Sequence, residues 1–185
     1  MHHRNVTLWI TRTAGLVALL IALQVATATL GNVIMTGVAV NLMLIVSVMT
    51  FGLSSGLSVA VVSPIAAKFF GIGPFWLLIP FIAAGNAALV WVWHFFGNRN
   101  MGRKYTAYVV ALVCAVTAKF LVLYIGVGRI AVPLFLSLSE QQAAAVSYMF
   151  SFMQLVTASV GGVLAIIVLP ALKKASGQWT VNSEQ

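Results

Sequence analysis

Ten Lys and Arg residues stand against two acids, Glu140 and Glu184, with three histidines and a single cysteine in 185 residues. Acid–base catalysis, metal binding and nucleophilic attack each need such groups in clusters. Here they are scattered. The sequence offers no paired carboxylates and no set of metal ligands. Cys114, alone in an apolar run, builds neither a disulfide framework nor a thiolate metal site. His94, the one internal histidine, has no acid within sequence reach and reads as an interfacial residue of an aromatic belt with Trp91, Trp93 and Phe95. No glycine-rich loop followed by lysine is present to cradle a phosphate. The expectation is a protein with no catalytic residues, no metal and no cofactor, which does not hydrolyse ATP itself.

A different chemistry is carried by polar residues set singly inside apolar stretches. At a rise of about 1.5 Å per residue, Gln24 falls roughly 9 Å from the outer end of its stretch. Asn41, Asn86, Lys119 and Gln154 fall at comparable depths in four other stretches. Such groups are costly in hydrocarbon unless they meet partners or water. Each amide alone is equally consistent with a helix-packing hydrogen bond, worth about 0.6 kcal/mol on average. Their shared depth points to a pocket open to the outside. Lys68, Lys119 and Arg129 are the outward-side cations, and Glu140 alone can balance them. The candidate substrate-binding residues are therefore Asn41, Lys68, Asn86, Lys119, Arg129 and Gln154. An anionic or hydrogen-bond-accepting ligand fits that field, and a permanently cationic one fits poorly. Proton- or sodium-coupled transport normally uses acids within spans, and none lies there.

The elements that position these residues follow from composition. Hydrophobic residues make up 62% of the chain and charged residues 6%, where a soluble domain carries about 25% charged residues. The solvent must be lipid. A spanning helix needs roughly 20 apolar residues, and stretches 8–30, 105–126 and 146–172 are evident. Between 33 and 97 the only charge is Lys68. Gly52, Ser54, Ser55 and Gly56 break that region once. Gly71, Gly73 and Pro74 break it again, with Pro74 placed to open a helix. Three further spans result, at about 33–53, 54–70 and 74–97.

Charge parity agrees with this division. Arg4 and Arg12, then Arg99, Arg103 and Lys104, then Lys173 and Lys174 all fall inside only if six spans intervene. The expectation is an all-α integral membrane protein, a single domain over 1–175. It is a six-transmembrane-helix bundle with N and C termini cytoplasmic, followed by a polar tail at 176–185. The first stretch is too long for the apolar region of a signal peptide. The longest external loop, 127–145, is apolar enough to act as a lid or to lie at the interface. The basic excess is topogenic, with no basic stripe or motif for nucleic acid.

Ala14, Ala18 and Ala22 repeat every four residues on the first span, and Gly161, Gly162 and Ala165 make a comparable face on the sixth. Small residues so spaced let another helix approach closely. With that stripe, the stretch LSSGLSVAVVSPIAAKFFGIGP at 53–74 and IPFIAAGN at 79–86, the chain resembles the substrate-binding S-components of energy-coupling factor vitamin transporters. The resemblance implies capture of a vitamin or related micronutrient from outside, at the bacterial cell membrane. It implies partnership with a membrane scaffold subunit and two cytoplasmic ATPases, with Ala14, Ala18 and Ala22 as the docking surface. Among vitamins, the external cations favour pantothenate or another anionic ligand. Pyridoxine, hydroxymethylpyrimidine and cobalamin remain open. The competing readings are a structural or assembly protein without ligand, and a lipid-modifying enzyme, which lacks the residues it would need.

Overall fold

The computed structural model describes residues 2–73, 75–99, 101 and 104–175. Pro74, Arg103 and the tail 176–185, which figure in the expectations above, lie outside the described residues. The order of elements is α1 (His2–Thr29), α2 (Val33–Phe51), α3 (Leu53–Phe69), a 3₁₀ turn at Trp76–Leu78, α4 (Ile79–Gly97) and α5 (Lys104–Leu123), then a π-helical stretch (Tyr124–Ala131), α6 (Val132–Phe135), α7 (Glu140–Met149) and α8 (Phe152–Ala175). No strand occurs among the described residues. Five helical segments among them are long and apolar enough to cross a membrane, and the apolar α3 is shorter at 17 residues. The chain is a multi-pass, all-α membrane protein.

The helix ends are written in the sequence. Asn32 caps α2, its side-chain oxygen accepting from the Met35 amide at 3.1 Å. A single residue, Gly52, separates α2 from α3. Its φ of 88° and ψ of 177° belong to a region that is essentially closed to any other residue. At the end of α3, Gly71 turns to φ 76°. The Gly71 amide donates to the Lys68 carbonyl and the Ile72 amide to the Ala67 carbonyl, which is the Schellman arrangement.

α4 lies along α5 and α2 along α8, and α2 also touches α1, α3 and α4. The core between them holds Leu44, Ile45, Leu89, Trp93, Tyr108 and Leu169. Gly161 is required here, because a β-carbon on it would sit 2.8 Å from the Val38 carbonyl oxygen. The small face of α8 expected at Gly161, Gly162 and Ala165 is thus buried inside the bundle. Large apolar side chains face outward on every long helix, among them Leu19, Val61, Trp91, Val113 and Ile167. Only lipid can cover such a surface.

Two expectations change. Trp93 does not join an aromatic belt. It is 0% exposed in the core, while Trp91 and Phe95 stack outside with ring centroids 6.4 Å apart. Residues 127–145 are mostly helical, with only 136–139 outside any helix. The Tyr105–Phe135 helical segment runs for 31 residues, about 45 Å at the α-helical rise, and therefore extends past a hydrocarbon core of about 30 Å. Its far end folds into a second apolar cluster of Leu78, Leu123, Val127, Val132, Val146 and Phe150. Ser139 then opens α7 with a capping box closed by Gln142, a pattern that holds the segment helical.

Candidate functional site

The connections place alternate helix ends together. Arg12 of α1 lies 5.8 Å from the Phe51 ring at the end of α2, and Lys173 of α8 donates to the Tyr108 hydroxyl near the start of α5 at 3.4 Å. The opposite ends surround a cavity of about 680 Å³. Gln24 of α1, Asn41 of α2, Ser63 and Lys68 of α3, Asn86 of α4, Lys119 of α5 and Gln154 of α8 all line it. Apolar wall comes from Val40, Ile79, Ile82, Met149 and Phe150, so the second apolar cluster closes one side through Phe150.

The centre of the site is Lys119, 2% exposed. Its Nζ donates to Asn41 Oδ1 at 2.6 Å and to Asn86 Oδ1 at 2.8 Å. Asn41 in turn donates from Nδ2 to the Gly37 carbonyl at 2.8 Å and to Thr157 Oγ1 at 3.4 Å. Three helices are tied together at one point, with α8 joined through Thr157. The only acid among the described residues is Glu140, exposed at the start of α7. Lys119 therefore has no carboxylate counter-charge within the described residues. A buried charge held only by neutral groups is expensive, and its retention calls for something the neutral groups do not supply.

Two further groups face unmet demands. Gln24 Oε1 and Ser63 Oγ are buried with no hydrogen-bond partner among the described residues, and both residues line the cavity. Buried polar atoms are satisfied in the great majority of cases; a third such atom, Trp93 Nε1, lies in the core away from the cavity, so these two are distinguished by their place on the cavity lining. Gln154 is half-buried, and its side chain makes no hydrogen bond among the described residues.

Of the six candidate binding residues, the structure gathers Asn41, Lys68, Asn86, Lys119 and Gln154 around one cavity. Lys68 Nζ donates to the Gly73 carbonyl at 2.9 Å. Arg129 does not line the cavity. It sits on the π-helical stretch with its guanidinium on the Tyr124 hydroxyl, at 2.7 and 3.2 Å, so the helical continuation of α5 carries it away. Ser63 and Thr157 were not among the candidates. Serine and threonine in helices commonly bond their own backbone, which hides any other role from the sequence. His94 Nδ1 lies 3.2 Å from the amide nitrogen of Asn98. No group of three or more metal-ligating side chains occurs among the described residues.

The alanine stripe lies elsewhere. Ala14, Ala18 and Ala22 are all exposed on α1, and Ala26 continues the row. A β-carbon added at Gly15 would meet nothing within 4 Å. The stripe does not pack inside this chain's own bundle.

Comparison with known protein families, with curated proteins and with solved structures returns no significant match.

Proposed function

We propose that this chain is the substrate-binding membrane subunit of an energy-coupling factor type uptake transporter, resident in a bacterial plasma membrane. It crosses the membrane six times with both termini cytoplasmic. It captures a vitamin or related micronutrient from outside and delivers it together with a membrane scaffold subunit and two cytoplasmic ATPases. The observation that carries this reading is the cavity of about 680 Å³ around Lys119, with polar side chains from six helices on its lining. Its size suits a small metabolite, since ligand pockets run to roughly 300–1,000 Å³. The cavity opens at the bundle end opposite Arg12 and Lys173, and those cations favour the cytoplasmic side by the positive-inside rule. The exposed alanine row on α1 offers a partner helix a flat, close approach, in keeping with a scaffold subunit.

The test is a binding screen on the purified protein in lipid nanodiscs. Water-soluble vitamins are offered as a pool, and bound compounds are eluted and identified. Retention of one vitamin at a stoichiometry near one per chain is expected. A protein that retains none of them, and whose thermal unfolding no vitamin shifts, is not a substrate-binding subunit.

A further inference from the structure

The orientation of two carboxamides determines what the cavity offers a ligand. A lysine ammonium donates and never accepts. Asn41 and Asn86 must therefore each turn their oxygen toward Lys119 Nζ, and their NH₂ groups point elsewhere. Asn41 Nδ2 is taken up by the Gly37 carbonyl and Thr157. Asn86 Nδ2 donates to nothing among the described residues, although Asn86 is 2% exposed and lines the cavity. Lys119 keeps its third N–H. Two open donors and one positive charge thus sit side by side on α4 and α5.

The neutrality of the two partners is informative. If the only task of Lys119 were to tie helices together, a carboxylate at position 41 or 86 would do it better, cancelling the buried charge at the same distance. Two carboxamides hold the ammonium in place and leave its charge available. Elsewhere on the lining, Gln24 offers an open acceptor and Ser63 an open hydroxyl, and Val40, Ile79 and Ile82 add apolar surface.

We infer that the cavity takes a small monocarboxylate, with its carboxylate seated against Lys119 Nζ and Asn86 Nδ2 and a hydroxyl or amide hydrogen directed to Gln24 and Ser63. This deepens the reading of the chain as a ligand-binding subunit and rests on it. A phosphate monoester fits less well. It carries about −1.5 to −2 charges on three strong acceptor oxygens, against one ammonium and two open donors. Lys68 lies on the cavity lining with its Nζ on the Gly73 carbonyl, where it adds to the positive field that draws an anion in.

The experiment uses the full chain in lipid nanodiscs. It is incubated with an equimolar pool of monocarboxylates, phosphate monoesters, neutral compounds and cations drawn from water-soluble vitamins and their precursors. Retained compounds are identified by mass spectrometry and their affinities measured. Two variants are carried through in parallel, Lys119→Met and Asn86→Asp. The second keeps side-chain size and an oxygen toward Lys119, disrupts no other hydrogen bond within the described residues, cancels the charge and removes the open donor. The expected result is a retained monocarboxylate whose affinity falls roughly 100-fold in each variant, the scale of losing one partner of a buried charge pair. Retention of a phosphate ester, a neutral compound or a cation instead overturns this inference and leaves the ligand-binding reading standing. A monocarboxylate bound equally well by Asn86→Asp overturns the proposed seat. A parent protein that retains nothing overturns both.

Discussion

Lys119 and Asn41, 78 residues apart in the chain, meet at 2.6 Å in the interior. Asn41 is 0% exposed, and its amide nitrogen is held by the Gly37 carbonyl one turn back on α2. The carboxamide is thus held by α2 itself as well as by the lysine. Asn41→Ala removes an acceptor from a buried ammonium and unties α5 from α2. A loss of about 2–3 kcal/mol is expected, the scale of a hydrogen bond to a charged group. Thermal or denaturant unfolding in mild detergent measures it, and parent-like stability would show that water replaces the amide freely.

Ser63→Ala separates stability from binding. Ser63 Oγ is buried and unpartnered among the described residues, so its removal relieves a desolvated hydroxyl. The ligand-free protein is expected to gain up to about 1 kcal/mol. Ligand affinity is expected to fall by roughly tenfold, the equivalent of about 1.4 kcal/mol. A destabilised variant would mean that the hydroxyl already has a partner in the ligand-free protein.

Glycines on two helices are expected to differ in how much a side chain there costs. Gly161→Val forces α8 away from the Val38 carbonyl on α2 and is expected to cost about 1–3 kcal/mol through overpacking. Gly15→Ala on the open face of α1 is expected to change stability by less than about 0.5 kcal/mol. Equal effects in an unfolding assay would contradict the packing described for α8.

Ala18→Trp tests the exposed row on α1. The substitution lies outside the cavity, so ligand binding by the isolated protein is expected to stay within about twofold of the parent, a change well below 1 kcal/mol. Co-purification with a scaffold subunit, and uptake by cells, are expected to be lost because the bulky ring holds the partner helix away. Uptake at the parent level would remove the docking role.

For topology, Cys114 is replaced by serine and single cysteines are introduced at Asn98 and Ser139. Asn98 caps α4 and Ser139 caps α7, at opposite ends of the bundle. An impermeant maleimide added to intact cells is expected to label the second position and not the first. Labelling at both would defeat the six-crossing reading.

The polar residues that meet in the cavity were legible because depth in a membrane helix can be counted from its breakers. The start of the second stretch at Val33 and Pro74 set the ruler for Asn41 and Asn86, and the breaks at Gly52 and at Gly71 and Gly73 occur where the sequence places them. Trp93 was legible too, though by phase rather than depth. Asn86, Leu89, Val90, Trp93 and Gly97 recur every three or four residues and form the buried face of α4. Reading the aromatics by their nearness to a helix end obscured that face. The segment after α5 was not legible. Gly126, Gly128 and Pro133 there look like loop residues, and a π-helical stretch of 8 residues is too short to show its wider period in the sequence. Gly126 earns its place by admitting the Phe81 ring, 2.7 Å from where its β-carbon would be, a contact visible only once α4 and α5 are side by side. The place of Arg129 off the cavity lining was hidden for the same reason, since its position depends on whether that segment continues the helix.

The single-residue link at Gly52 bears on how the chain reaches the membrane during synthesis. α3 has 17 residues and carries Lys68, which makes it a weak segment for insertion alone, since a lysine is penalised wherever it enters the lipid. α2 has 19 residues with no charge. Under the six-crossing reading no slack exists between them, so the translocation machinery cannot release α2 into lipid and then decide about α3. The two are therefore expected to enter together as a helical hairpin, the strongly apolar arm carrying the weaker one, and a flexible insert at that link is expected to uncouple the pair and leave α3 at the membrane surface.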